Sequence, residues 1–505
     1  MHVIARHSVV NFLAFGLTRL MGLVLVGFIV DEYGLAIFGL LMLVRSFMPG
    51  TLFSVLDFGL PEFVTRSAAR DLASGKNAEA LGTATASALV LGCIGLLLAV
   101  PLVVAPDFSA RLFFGLDPEH RALLAPAIVA HGLVLPLLFV GVIAEGALRG
   151  QEAFKALRLV DVCATLLYSA VALALIYVHA SPVDLALAFL GSHVLRATAT
   201  IAIAARGYRA PSSRAFRPNF RLLYEERAYL RAVVGRRIGG RFASQLPRLV
   251  ISHVLGPAAT GLFEAILRLP VFLRSLITLV NSAVMPVVVR MNASGGKAEL
   301  SELAVQGPRL LLAFASLTSL PTICLARPLL HLWLGTEVEP YWPWFAALCA
   351  LPLFSASVGF WNAMGRAELD FLRKASVIAV IQTAIVVAVA APLLTTLQVP
   401  AIWLGMFCSL LYAAPAYLLL NARKWSLSPW RLAFPVAAVL AASIPAAAFG
   451  AALVHWVDLD SWPRLISAFA AISVVQVLML AIFIVRPAER RSLLRFRRAE
   501  RRVSR

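Results

Sequence analysis

The stretch Tyr33-Gly-Leu-Ala-Ile-Phe-Gly39 has a counterpart in Leu255-Gly-Pro-Ala-Ala-Thr-Gly261. At an offset of 222 residues, Gly34 falls on Gly256, Ala36 on Ala258 and Gly39 on Gly261. A second region repeats at an offset of 216, with Leu135-Pro136-Leu137 on Leu351-Pro352-Leu353, Val142 on Val358, Ala147 on Ala363 and Glu152 on Glu368. Two separate regions with nearly one offset predict an internal duplication.

The chain around these repeats is apolar. Of its 505 residues 60% are hydrophobic and only 14% charged, and the mean hydropathy is +0.85. Soluble domains carry roughly 25% charged residues. Apolar runs long enough to cross a bilayer recur from end to end. They predict an all-α polytopic membrane protein with about 14 spans, near 8–30, 35–66, 79–105, 121–148, 156–178, 183–206, 228–254, 258–290, 303–326, 341–365, 371–395, 398–421, 431–456 and 462–486. The run Val9 to Val30 reads as a retained first helix rather than a removable signal. The repeat offset covers six spans, an even number, so the two copies share one orientation and their axis lies along the membrane normal. The expected organisation is a six-helix lobe over 1–213, a second over 224–425, two additional helices over 426–486 and a basic tail over 487–505.

The net charge of +19 would suggest nucleic acid in a soluble protein. Here the cations fall in alternate loops, among them Arg66, Arg70 and Lys76, then Arg149, Lys155 and Arg158, then Arg206 to Arg227, then Arg366, Arg373 and Lys374. The intervening loops carry Asp31 and Glu32, Asp107, Asp117 and Glu119, Asp184, Glu337 and Glu339, and Asp458 and Asp460. Positive loops face the cytoplasm, which predicts both termini inside and no nucleic-acid partner. Tyr341-Trp-Pro-Trp-Phe345 sits at an outer boundary and reads as an interfacial aromatic belt. The five cysteines lie in apolar spans without CxxC spacing, so neither a disulfide framework nor a metal site is expected. There is no P-loop, HExxH or GxSxG motif and no large outer loop, and neither an enzyme nor a cofactor is expected.

Charged residues inside the spans carry the functional reading. Arg19 lies in the first span, Arg45 and Asp57 in the second, Glu145 in the fourth, Arg237, Arg241 and Arg248 in the seventh, and Glu264, Arg268 and Arg274 in the eighth. A central arginine costs about 2.5–3.5 kcal/mol on the insertion scale, so these groups must face protein or water. Helical periodicity puts Arg237, Arg241 and Arg248 within ~40° of one another in projection. One alternative is that the ions pair between helices and only lock the bundle. The other is a hydrated cationic lumen for an anionic ligand, and arginine suits phosphate through two parallel hydrogen bonds. Arg19, Arg45, Arg237, Arg241, Arg248 and Arg268 are then the substrate-binding candidates. Asp57, Glu145 and Glu264 are the ion-coupling candidates, because a buried carboxylate can be driven to titrate near neutral pH. His193 and His253 read as helix-packing residues.

The motifs Tyr33-Gly-Leu-Ala-Ile-Phe-Gly39, Leu56-Asp-Phe-Gly-Leu60, Val254-Leu-Gly-Pro-Ala-Ala-Thr-Gly261 and Gly365-Arg-Ala-Glu368 resemble those of polysaccharide-unit flippases. These belong to the multidrug/oligosaccharidyl-lipid/polysaccharide (MOP) exporter superfamily, and the resemblance covers nearly the whole chain. It implies two six-helix lobes forming a V around a cationic cavity, with alternating access. It further implies an undecaprenyl-diphosphate-linked oligosaccharide (an O-antigen, capsule or exopolysaccharide unit) moved from the inner to the outer leaflet of a bacterial inner membrane. The diphosphate would rest on the arginines and the lipid tail between the first and eighth spans. Membrane lipids, a polysaccharide polymerase and chain-length machinery are the implied partners. The competing expectations are a multidrug or cation antiporter of the same superfamily, a peptidoglycan lipid-precursor flippase, and a membrane polysaccharide polymerase.

Overall fold

The computed structural model describes residues 2–208, 218–282, 297–365 and 369–484, together with Val284, Val288 and Met291; within these, the side chains of 2–15 and 231–244 and a few others are not described. The described residues form helices and no strand. In order these are α1 (His2–Val44), α2 (Leu60–Ala73), α3 (Asn77–Val104), α4 (Pro106–Phe114), α5 (Pro118–Gly150), α6 (Phe154–Tyr177), α7 (Pro182–Gly207), α8 (Phe220–Glu225) and α9 (Arg227–Ser282). They continue as α10 (Lys297–Cys324), α11 (Ala326–Leu334), α12 (Trp342–Leu348), α13 (Leu351–Gly365), α14 (Leu369–Leu397), α15 (Val399–Lys424), α16 (Pro429–Ala442), α17 (Ile444–Trp456) and α18 (Trp462–Phe483). The all-helical polytopic class expected from hydropathy is what the chain adopts.

Eleven helices among the described residues are long and apolar enough to cross a membrane. The sequence reading of 14 spans differs from this in two places. The first span and the start of the second run together in α1 and count once, and the seventh and eighth run together in α9, which is not among the eleven. Each of these helices bends at one glycine, Gly34 (φ +75°, ψ 172°) and Gly256 (φ +83°, ψ −175°). Only glycine adopts such backbone angles without strain. The two bends occupy equivalent positions of the repeat, so the duplication read from the sequence is also a duplication of backbone shape.

Contacts divide the chain into two compact units, Met1–Ala265 and Ile266–Arg505. The same neighbours recur inside each. In the first, α5 packs on α3 and α7, and α6 on α7; in the second, α13 packs on α10 and α15, and α14 on α15. Small residues let α5 approach closely. A side-chain carbon built on Gly146 would lie 2.5 Å from the Pro61 carbonyl oxygen, and one on Gly141 2.7 Å from the Ala197 Cβ. Close backbone packing of this kind replaces the hydrophobic drive that is missing between helices in lipid. Large apolar side chains such as Leu97, Val104 and Leu411 are turned outward at 72–78% exposure, as lipid contact requires.

The additional C-terminal helices α16, α17 and α18 pack on α10. Gln476, fully buried on α18, has its Nε2 2.8 Å from the hydroxyls of both Ser316 on α10 and Ser443 between α16 and α17. In the aromatic stretch after Tyr341, Trp342 is exposed, as a belt residue should be. Tyr341 and Trp344 instead pack on the buried Trp403, with ring centroids 6.2 and 6.1 Å away.

Candidate functional site

The second span is not a continuous helix, contrary to the sequence expectation. After Val44 the helical ladder gives way to two short 3-10 turns, Arg45–Phe47 and Leu52–Asp57, and helix resumes at Leu60. Met48-Pro-Gly50 lies in this break and supplies the cause, since proline lacks an N–H and glycine relaxes the backbone. Backbone polar groups freed inside a membrane need partners. The Thr51 hydroxyl lies 2.6 Å from the Ser46 carbonyl and 2.7 Å from that of Met48. Asp57, 3% exposed, accepts the Gly59 N–H at 2.8 Å, bracing the left-handed pair Phe58-Gly59 from which α2 starts. Asp57 therefore has a local structural task, whatever else it does.

The break presents Arg45. Its guanidinium lies over the Phe189 ring, 4.0 Å from the centroid, and donates to the Tyr168 hydroxyl. Stacking on an aromatic face leaves the guanidinium edge, where the donors are, available for an acceptor. Phe189 in turn contacts the His193 ring at 4.2 Å between centroids. Phe189, His193 and Arg196 are spaced three and four residues apart on α7 and share one face.

Arg196 continues this line. It pairs with Glu145 of α5 (Nη1 to Oε1, 2.5 Å) and with Asp161 of α6 (Nε to Oδ1, 2.6 Å). Arg149 approaches the other Glu145 oxygen at 3.4 Å. Sequence reasoning singled out Glu145 but missed Arg196 and Asp161. Both are charged residues inside the fifth and sixth spans, so the rule that found Glu145 applies to them equally.

A second ion pair uses the bend at Gly256. Arg248 and Glu264 would stand about 24 Å apart on a straight helix at 1.5 Å per residue. The bend folds them together, with Arg248 Nη2 and Nε each 2.7 Å from Glu264 Oε1. Arg248 Nη1 also donates to the Ser46 hydroxyl at 3.0 Å. The pair is thus tied to the residue next to Arg45. The structure ties Arg248 and Glu264 to Ser46, next to Arg45 in the broken span, and Glu145 of α5 meets Arg196 on the α7 face that carries Phe189. Arg19 is exposed on α1 and Arg268 is half-buried in the other unit. Arg237 and Arg241 lie in α9, but their side chains are outside the described residues, as are the centre of the Arg-rich link and the basic tail.

A family model described as polysaccharide biosynthesis protein matches residues 4–292. The uncharacterized membrane protein EpsK of Bacillus subtilis (strain 168) is 26% identical over 281 residues, 52% of this chain and 53% of that protein. The chain thus spans about half the length of this curated relative. Among solved structures, the lipid II flippase MurJ in an inward closed conformation is similar with a TM-score of 0.69 at 11% identity, over 94% of this chain and 98% of MurJ. An inward-facing multidrug resistance MATE family transporter of the MOP superfamily gives 0.63 at 18% identity, over 83% of this chain and 98% of its own. The chain is a multi-pass membrane protein that belongs to the polysaccharide biosynthesis protein family and shares its fold with MurJ and the MATE family transporter.

Proposed function

We propose that this protein is a flippase for an undecaprenyl-diphosphate-linked oligosaccharide, moving it from the inner to the outer leaflet of a bacterial inner membrane with both termini cytoplasmic. The observation that carries the reading is Arg45. It stands in a broken membrane span, seated on the Phe189 ring, with one N–H on the Tyr168 hydroxyl and four more on its planar fork. A diphosphate is the ligand such a group grips best, and the membership of a polysaccharide biosynthesis family favours a sugar on the other side of it.

In this account Arg45 is the first contact of the diphosphate, and Arg19, Arg237, Arg241 and Arg268 are its companions during the cycle. Arg248 is held by Glu264 and positions the break through Ser46. Glu145, shared between Arg196 and Arg149, is the ion-coupling residue of this account, because a change in its pairing moves two cations at once. The polymerase and chain-length machinery that consume flipped units are the expected partners.

The test is in cells that depend on this gene for glycan export. Arg45→Ala should abolish export and leave lipid-linked oligosaccharide on the inner leaflet at an unchanged protein level. Arg45→Lys should restore export in part, because it keeps the charge but loses the fork. Normal export by Arg45→Ala would refute the assignment.

A further inference from the structure

The second unit has a cavity of about 740 Å³ lined by its own residues. Arg274, Thr278 and Asn281 from α9 line it, with Asn362 from α13, Gln382 from α14 and Ser409 from α15. Gln382 and Ser409 sit near the middle of their helices, so these polar groups lie at bilayer depth. Uncompensated carboxamides there are unfavourable, and their presence calls for a ligand or water.

Two of the carboxamides are only partly satisfied within the protein. The Oδ1 atoms of Asn281 and Asn362 are both buried without a hydrogen-bond partner, although native interiors satisfy nearly all such atoms. Gly359 on α13 leaves room for the Asn281 amide, since a side-chain carbon there would lie 2.9 Å from Asn281 Nδ2.

The lining identifies the chemistry. Among the described residues it contains no carboxylate, so it is a poor seat for a metal ion or a cationic drug. Three carboxamides both donate and accept, which matches the paired donor and acceptor character of sugar hydroxyl and acetamido groups. Arg274 adds one fork for an anionic oxygen. The volume falls in the roughly 300–1,000 Å³ range of small-molecule sites, well above what an ion needs.

We propose that this cavity is a glycan subsite, in which Asn281, Asn362 and Gln382 hold sugar hydroxyls of the cargo while Arg274 meets an anionic oxygen on the same glycan. The proposal rests on the flippase reading and assigns to a place separate from Arg45 the part of the cargo that differs between pathways. Sugar selectivity then resides in the second unit and diphosphate affinity in the first.

The experiment is equilibrium binding to the purified full-length protein in detergent, with two probes. One is the free oligosaccharide released by mild acid from the host's lipid-linked intermediate; the other is undecaprenyl diphosphate without sugar. Asn362→Ala and Gln382→Leu should weaken oligosaccharide binding by about tenfold or more, a loss of one such contact or two. They should leave undecaprenyl diphosphate binding unchanged, whereas Arg45→Ala should do the reverse. Gly359→Ala, which removes no polar group but crowds Asn281, should also weaken the oligosaccharide selectively and covers the case in which an amide variant folds poorly. Wild-type oligosaccharide affinity in the folded variants would overturn the subsite. So would a wild-type protein that binds undecaprenyl diphosphate and no oligosaccharide, with the flippase reading intact. A wild-type protein that binds neither probe would overturn both.

Discussion

Gly39 and Gly261 meet in a reciprocal contact. A side-chain carbon on Gly39 would fall 2.0 Å from the Pro257 carbonyl oxygen, and one on Gly261 would fall 1.9 Å from that of Leu35. The offset of 222 that relates Gly39 to Gly261 also relates Leu35 to Pro257, so each half of the contact is the image of the other. Two helix segments that follow equivalent bends, at Gly34 and Gly256, thus cross backbone to backbone about a local two-fold axis. Any side chain at the crossing must push the helices apart. Gly39→Ala or Gly261→Ala should therefore lower thermal stability by about 1–3 kcal/mol, the usual cost of overpacking, or more because backbone is the obstacle. Gly191→Ala, in open space on α7, should be neutral or mildly stabilising. Unfolding midpoints in detergent, followed by intrinsic fluorescence, check the pair against the control.

Arg248 and Glu264 give a second outcome. Both are largely buried, with side chains 17% and 11% exposed. Removing one partner deprives the other buried charge of its ion pair, a loss of up to about 3–5 kcal/mol. Removing both should cost much less. Arg248→Met and Glu264→Gln should each lower the unfolding midpoint strongly, and the double variant should recover most of the loss. A double-mutant cycle with additive losses would show that the pair is not coupled across the Gly256 bend.

Gln476 is the pin of the C-terminal helices, and its replacement separates two effects. Ser316 and Ser443 donate their hydroxyls to the carbonyls of Ala313 and Val439, both at 2.8 Å, so they remain satisfied without the glutamine. Gln476→Leu should then change stability by less than about 1 kcal/mol, since an apolar group of similar shape replaces a bond whose partners keep their own acceptors. Gln476→Ala adds a cavity and should cost about 2–4 kcal/mol. Thermal unfolding of the two variants distinguishes lost hydrogen bonding from lost volume.

Asp117 caps α5, accepting the His120 N–H at 3.0 Å. That hydrogen bond, with a further one from the His120 ring, holds the carboxyl below the usual aspartate range. A carboxylate depressed on folding contributes stability that is fully present above its unfolded pKa. That contribution is lost as pH falls through the folded value. The start of α5 should accordingly keep constant hydrogen-exchange protection across neutral pH and lose it in acid below the ordinary carboxylate range. Asp117→Asn, which keeps the acceptor but cannot titrate, should flatten that acid limb.

Most of the fold was legible because its determinants are local. Apolar length marks the spans, and the glycines at 34, 39, 256 and 261 record the repeat. What was not legible depends on which helices face each other. Glu145 is visible as a charge in a span, but its partners Arg196 and Asp161 come from two other helices. Arg248 could be placed on a helix face, while its meeting with Glu264 depends on a bend that hydropathy does not register. The break at Arg45 was announced by Pro49 and Gly50, yet the hydropathy of 35–66 runs through it. Arg45 was chosen for its lack of nearby acids in sequence, and aromatic rings rather than a carboxylate are the partners it found.

The most direct test of the account is flipping in proteoliposomes that contain the purified protein and a fluorescent undecaprenyl-diphosphate-linked oligosaccharide, scored by the fraction of lipid a membrane-impermeant quencher reaches with time. Wild-type protein should equilibrate the lipid between leaflets, and Arg45→Ala should reduce the rate to that of protein-free vesicles. Equal rates for the two proteins, or no transfer by the wild type above empty vesicles, would contradict it.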